Sequence, residues 1–288
     1  MQPVISQIKY NDHDIDILRL DLMHEGFQGN KYYKLKYNIE EAKDLGCSTI
    51  LTFGGAFSNH IYATALAGKL HGLKTIGIIR GENDMHNPTI NFWRENEMVL
   101  RFISREEYKR KDEPAFLNKL RDTFGKYYLI PEGGTNKAAI RGCTEILSGL
   151  ENKYDFIFCA VGTGGTLAGI ISTPNIKSKI IGVSVLKGMD LLTEKVTTLI
   201  SNNNSNWEIN FNYHLGGYAK YDQKLMEFID QFKSNYSILP DPVYTGKVFY
   251  AIFDLIDKNY FSPGKKILAI HSGGLQGWDG WNYRFTNK

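Results

Sequence analysis

The stretch that decides the fold is 153-KYDFIFCAVGTGGTLAG-169. An apolar run rich in aromatic and β-branched residues ends at Val161. It gives way to Gly162-Thr163-Gly164-Gly165-Thr166, and a helical pattern begins after Gly165. A strand that breaks into a glycine-rich turn and then a helix is the βα unit of a parallel sheet covered on both faces. Glycines allow close approach to the backbone, and the first N–H groups of a helix attract an anion. Thr163 and Thr166 add hydroxyl donors. The turn reads as a phosphate cup, although a tight βα turn with a threonine cap has the same sequence. It is not a Walker A loop, because no Gly-Lys-Ser/Thr follows. No clear acidic residue follows the next strand, KIIGVSV, to hold a ribose.

The same rhythm runs outward in both directions. N-terminal to this unit lie an opening helix, the strand CSTILTF (47–53), a helix at about 58–71, KTIGIIR (74–80) and a helix near 87–97. MVLRFIS (98–104), a charged helix around 105–124, KYYLIP (126–131) and a helix near 136–150 complete that side. C-terminal to it come KIIGVSV (179–185), helices near 188–201, 222–235 and 246–257, and KILAIHS (266–272); SNNNSNW (201–207) is a surface loop. Repeated βα units predict an α/β protein with largely parallel sheets. The 288 residues are 42% hydrophobic and 23% charged with net charge +3, ordinary for a globular protein and too mild for a nucleic-acid partner. No apolar run reaches a membrane span and no signal pattern opens the chain, so a cytoplasmic protein is expected. Cys47, Cys143 and Cys159 stand apart without CxxC spacing, which fits reduced thiols and gives no metal site.

In open parallel sheets ligands collect beyond the carboxyl ends of the strands. Five such segments carry glycines with hydroxyls. After CSTILTF come Gly54 and Gly55, then Ser58-Asn59-His60 opening a helix, suited to a substrate carboxylate; Ser58 also fits an ordinary N-cap. HLGGYAKYDQKL places Tyr218 after a Gly-Gly pair. In DPVYTGK, Tyr244 precedes Thr245. KILAIHS leaves Ser272 at the mouth of the sheet. The opening helix supplies the oddest feature. A turn, Gln28-Gly29-Asn30, delivers Lys31 to the first helical turn, where the helix dipole disfavours a cation, and Lys34 follows one turn later. Leu35, Ile39, Ala42 and Leu45 form the apolar face, and Gly46 is the stop. Two chemistries fit a lysine beside a phosphate cup: plain anion binding, or a Schiff base to pyridoxal phosphate.

GNKYYKLKYN, FGGAFSNHIYATA, PEGGTNKAAIRG, VGTGGTLAG, DPVYTGK and HSGG occur in the order found in fold-type-II pyridoxal-phosphate enzymes. Together they resemble the 1-aminocyclopropane-1-carboxylate deaminase and D-cysteine desulfhydrase group, from about residue 25 to 277. The resemblance implies a tryptophan-synthase-β-like fold of two unequal three-layer α/β domains. Residues 1–31 with 129–288 would form the larger, cofactor-binding domain and 32–128 the smaller. It further implies pyridoxal 5′-phosphate as cofactor, a small amino acid as substrate and a homodimer.

By the same resemblance, Lys31 is the Schiff-base lysine and Lys34 the basic residue near the phosphate. Gly162, Thr163, Gly164, Gly165 and Thr166 are the phosphate loop. Ser58 lies over the substrate, Asn59 reaches the cofactor O3′, and the Ser58–His60 backbone holds the substrate carboxylate. Tyr218 and Tyr244 are the active-site tyrosines. Tyr33 stands where the family's lysine helix has arginine. Thr245 and Ser272 stand where true deaminases carry glutamate and leucine; the desulfhydrases have hydroxyl residues there. A hydroxyl holds a pyridine nitrogen protonated less strongly than a carboxylate does. β-Elimination of a thiolate tolerates that weaker electron sink better than opening an unactivated cyclopropane. The expected activity is therefore D-cysteine desulfhydrase-type elimination, with cyclopropane deamination as the alternative and a non-catalytic anion- or nucleotide-binding protein as a remote one.

Overall fold

The computed structural model describes residues 4–23, 28–188, 191–200, 202–220 and 222–285. In chain order the elements are β1 (Val4–Tyr10), β2 (His13–Arg19), α1 (Asn30–Asp44), β3 (Thr49–Gly55), α2 (Asn59–His71), β4 (Lys74–Arg80) and α3 (Pro88–Glu95). Then come β5 (Val99–Ile103), α4 (Arg105–Lys109), α5 (Pro114–Phe124), β6 (Tyr128–Ile130), α6 (Lys137–Cys143), β7 (Phe156–Val161) and α7 (Gly165–Ile171). The chain closes with β8 (Lys179–Ser184), α8 (Leu192–Leu199), β9 (Trp207–Asn210), α9 (Gln223–Tyr236), α10 (Thr245–Asp257), β10 (Ile267–His271) and α11 (Gly277–Phe285).

These strands make two sheets, a six-stranded one ordered β1-β2-β10-β7-β8-β9 and a four-stranded one ordered β5-β4-β3-β6. Every pairing is parallel except β1 with β2. The inner strands are buried along most of their length, as near-continuous apolar runs such as Ile267–His271 require when helices cover both faces.

Several local expectations change. The hairpin β1–β2, the strand β9 and the last helix α11 carried no sequence signal strong enough to be read. The charged helix expected over 105–124 is two helices, because Pro114 lacks an N–H and starts α5 as its first residue. The helix expected near 136–150 ends at Cys143 and tightens into a 3-10 turn over Thr144–Leu147. Leu45 is 61% exposed, since it caps α1 beyond the apolar face instead of belonging to it. The expected boundary after residue 128 falls inside β6, whose Tyr128–Ile130 pair with β3 in the smaller sheet.

α1 joins the two cores. Its Leu35, Ile39 and Ala42 pack with Ile50 and Ile130 of the smaller sheet and Ala63 of α2. Its Tyr33 faces the other way, into the core of Leu18, Cys143 and Ile146 beside the larger sheet. That burial explains why an aromatic residue occupies position 33.

Candidate active site

The carboxyl ends of both sheets meet around the first turn of α1. Gly29 precedes that turn at φ +73°, and a Cβ there would fall 2.1 Å from the Ser272 carbonyl oxygen, so only glycine fits. The Gly29 N–H donates to the Leu20 carbonyl at 2.9 Å, and the Asn30 N–H donates to the Ser272 carbonyl at 3.1 Å. The turn is thereby bound to the ends of β2 and β10. Asn30 Nδ2 donates to Thr166 Oγ1 at 2.8 Å, and Lys31 Nζ donates to Asn30 Oδ1 at 3.1 Å. One asparagine thus ties the lysine to the start of α7.

Burial lowers the Lys31 pKa to about 8, against smaller opposing fields from Cys143 and Asp241. Lys34 is 2% exposed and falls further, to about 7, through burial first and the charge of Lys31 second. Burial is the leading cause at both lysines, more than the helix dipole that the sequence pointed to, and their like charges disfavour one another.

Lys34 Nζ donates to the Gly133 carbonyl at 2.7 Å and to Thr135 Oγ1 at 3.2 Å. Thr135 Oγ1 lies 2.7 Å from Thr163 Oγ1, which joins the loop after β6 to the loop after β7. A Cβ on Gly165 would sit 3.0 Å from Lys34 Nζ and 2.7 Å from Thr135 Oγ1. Bare backbone, two threonine hydroxyls and a buried ammonium held by a carbonyl and a hydroxyl therefore converge on the N-terminus of α7. That donor set suits a phosphate. Gly162, Thr163, Gly164, Gly165 and Thr166 all belong to it or adjoin it, as does Thr135, which the sequence reading did not assign.

Ser58 caps α2, accepting from the Ile61 N–H at 3.3 Å. Asn59 lies against the turn after β10, where a Cβ on Gly274 would fall 2.8 Å from its Nδ2. His60 is 2% exposed, and its Nε2 sits 2.8 Å from Thr52 Oγ1. The Thr52 hydroxyl donates its one proton to the Ile130 carbonyl at 2.8 Å. His60 Nε2 must therefore be the donor to Thr52, leaving Nδ1 as a lone pair with no partner among the described residues. Burial and the two lysine charges hold His60 well below its ordinary pKa, so the ring is neutral. Thr52, which fixes this tautomer, carries no local signal in the sequence.

Tyr218 and Tyr244 meet edge to face, with ring centroids 6.0 Å apart and hydroxyls 3.4 Å apart. Tyr244 also flanks the phosphate cup, where a Cβ on Gly162 would lie 3.4 Å from its Cε1. Burial holds the Tyr244 pKa well above 10, and Tyr218 adds to the shift.

Thr245 is fully buried, and its hydroxyl is turned into the helix cap made by Asp241. Asp241 Oδ2 accepts from the Thr245 N–H at 2.8 Å and from its hydroxyl at 2.7 Å, while Oδ1 accepts from the N–H groups of Val243 and Tyr244. The Asp241 N–H donates back to Thr245 Oγ1 at 2.8 Å. Asp241 was missed by sequence reasoning; a carboxylate between two prolines just before a helix was its available signal. Ser272 meets the lysine turn through its backbone carbonyl.

Among the described residues no group of three or more His, Cys, Asp or Glu side chains could hold a metal ion. No described helix is long and apolar enough to cross a membrane.

A family model described as pyridoxal-phosphate dependent enzyme matches residues 17–273. A putative 1-aminocyclopropane-1-carboxylate deaminase of Thermotoga maritima is 34% identical over 285 residues, spanning 92% of this chain and 89% of its own. The bifunctional D-cysteine desulfhydrase/1-aminocyclopropane-1-carboxylate deaminase of Arabidopsis thaliana is 32% identical over 295 residues, spanning 93% of this chain and 74% of its own. The crystal structure of an ACC deaminase homologue superposes with a TM-score of 0.81 at 30% identity, covering 95% of this chain and 88% of that one.

Proposed function

Since the chain belongs to the pyridoxal-phosphate-dependent enzymes, in the group of 1-aminocyclopropane-1-carboxylate deaminase and D-cysteine desulfhydrase, we propose that it carries out β-elimination on a small amino acid of the D-cysteine type. The products are pyruvate, ammonia and sulfide. The fold is the type II fold of that family, and the cofactor is pyridoxal 5′-phosphate. Bound, the cofactor supplies an aldehyde for amine attachment and a conjugated ring that takes up electrons released at the substrate Cα.

The observation that carries the reading is Lys31. Its amine is held by Asn30 at the convergence of both sheets, with burial bringing its pKa to about 8. An appreciable neutral fraction at physiological pH makes it a nucleophile toward an aldehyde and a base toward a Cα proton. Lys34, Thr135, Thr163 and the Gly162–Thr166 backbone would hold the phosphate. The α2 N-terminus at Ser58–His60 would orient the substrate carboxylate, and the Ser58 hydroxyl, which keeps its own proton while accepting from the Ile61 N–H, would pass a proton. Tyr218 and Tyr244 remain protonated at neutral pH and can give a proton to the departing sulfur.

One observation favours the alternative, ring opening of 1-aminocyclopropane-1-carboxylate. The Thr245 hydroxyl spends its only proton on Asp241, so toward a ring nitrogen it offers a lone pair backed by a carboxylate. That supports ring protonation more than an isolated hydroxyl does. The deciding experiment incubates purified protein and pyridoxal phosphate with D-cysteine, L-cysteine and 1-aminocyclopropane-1-carboxylate. Sulfide and pyruvate should form fastest from D-cysteine. Faster production of 2-oxobutanoate from the cyclopropane substrate would overturn the elimination reading.

A further inference from the structure

The segment that presents Tyr218 is strained. Leu215 and Ala219 stand on either side of the Gly216–Tyr218 stretch with φ of 44° and 46°, a left-handed region costly for residues with a Cβ. Tyr218 itself is 43% exposed, so burial of its own ring does not hold the loop in place. Two side chains do: Arg284 Nη1 donates to the Ala219 carbonyl at a long 3.4 Å, and the shorter bonds come from Lys247, one turn into α10 from Tyr244 and fully buried. Its Nζ donates to the His214 and Gly217 carbonyls, each at 2.7 Å, and lies 3.4 Å from the Val185 carbonyl. Two of those carbonyls bracket the turn. The same turn is closed by the Gly217 N–H donating to the His214 carbonyl at 2.9 Å.

We propose that Lys247 is a positioning residue that clamps the strained 214–219 turn to α10 and so holds the Tyr218 hydroxyl against that of Tyr244. This rests on the reading that the tyrosine pair acts on the substrate. The choice of residue supports it. A methionine would fill the site without the desolvation that a buried ammonium suffers. Ammonium-to-carbonyl bonds are the stronger, charge-assisted kind, suited to opposing backbone strain. The Tyr244 end of the contact is fixed separately, because Asp241 accepts from the Tyr244 N–H at 2.8 Å. Only the Tyr218 side depends on the clamp.

The test is a double-mutant cycle on the holoenzyme with Lys247→Met and Tyr218→Phe, reading kcat and KM. Lys247→Met should lower kcat about as much as Tyr218→Phe, and the double variant should match Tyr218→Phe alone within about twofold. Ala219→Gly, which relieves the left-handed strain, should return part of the loss in Lys247→Met. Effects that multiply, or a Lys247→Met enzyme that melts lower with kcat intact, would overturn the proposal. If Lys247→Met does not fold, Lys247→Gln enters the same cycle. Should Tyr218→Phe have no effect, the tyrosine reading fails, and trypsin cleavage after Lys220 then decides the clamp. Faster cleavage in the Lys247 variant supports the clamp; an unchanged rate overturns it.

Discussion

Lys31 and Lys34 sit one helical turn apart and divide the work by their partners. Lys31 touches one side-chain oxygen of Asn30. Lys34 donates to a carbonyl and a threonine hydroxyl beside the α7 N-terminus; with its pKa near 7 it is only partly charged alone, and a bound phosphate would favour its ammonium form. Lys31→Ala, incubated with pyridoxal phosphate and freed of unbound cofactor, should stay folded and lack the red-shifted near-visible band of an attached amine, showing at most the absorbance of the free aldehyde; a retained red-shifted band would remove Lys31 from the Schiff-base role. Lys34→Met should keep the colour at saturation but weaken cofactor affinity about 10–100-fold, the size of a lost hydrogen bond to a charged group. A titration of absorbance against added cofactor separates the two outcomes.

The turn into α1 is where a short element controls the site. Replacing Gly29 by alanine forces either φ or the Ser272 carbonyl to move, because the added carbon would fall 2.1 Å from that oxygen. Loss of cofactor binding should accompany destabilisation of about 1–3 kcal/mol or more, measured by denaturant titration. The sequence exposed this element well: a glycine, a lysine misplaced against the dipole and an amphipathic stripe can be read locally. So could the βα rhythm of β3, β4, β7, β8 and β10, whose apolar runs leave no other assignment. Thr52, Thr135 and Asp241 could not be placed in the same way. Their roles come from contacts with Ile130, Thr163 and the Tyr244–Thr245 backbone, and a lone threonine or a pre-helical aspartate looks the same with or without such neighbours. The N-terminal hairpin was obscured because VISQIKY and HDIDILR mix polar and apolar residues, as an edge strand and its neighbour do. Thr245 was legible as a difference from the deaminases, but the carboxylate behind it was not.

At the scale of the whole molecule, three lysines are held below their ordinary pKa, Lys31 and Lys247 to about 8 and Lys34 to about 7, each mainly by burial. A base with a depressed folded pKa binds fewer protons folded than unfolded, so its contribution to stability grows as pH rises above the folded value. The melting temperature of the cofactor-free protein should therefore rise from pH 6.5 to 8.5. Above that range Cys143 and Cys159, whose thiols burial pushes up to about 11 and about 12, act with the opposite sign and the gain should level off. A melting temperature that falls between pH 6.5 and 8.5 would contradict this balance. Added pyridoxal phosphate should flatten the slope by neutralising the share of Lys31 and Lys34. The pairing of β2 with β10 has another consequence, for the order of assembly. Ile15 lies opposite Ile267, and Asn30 is bound to Ser272. On the ribosome the lysine turn is made long before the strand that seats it. The smaller sheet, whose strands lie between Thr49 and Ile130, can close while the chain is still growing. The cofactor cleft must wait for β10, so it forms after the smaller sheet, and the non-local pairing makes it a slow step.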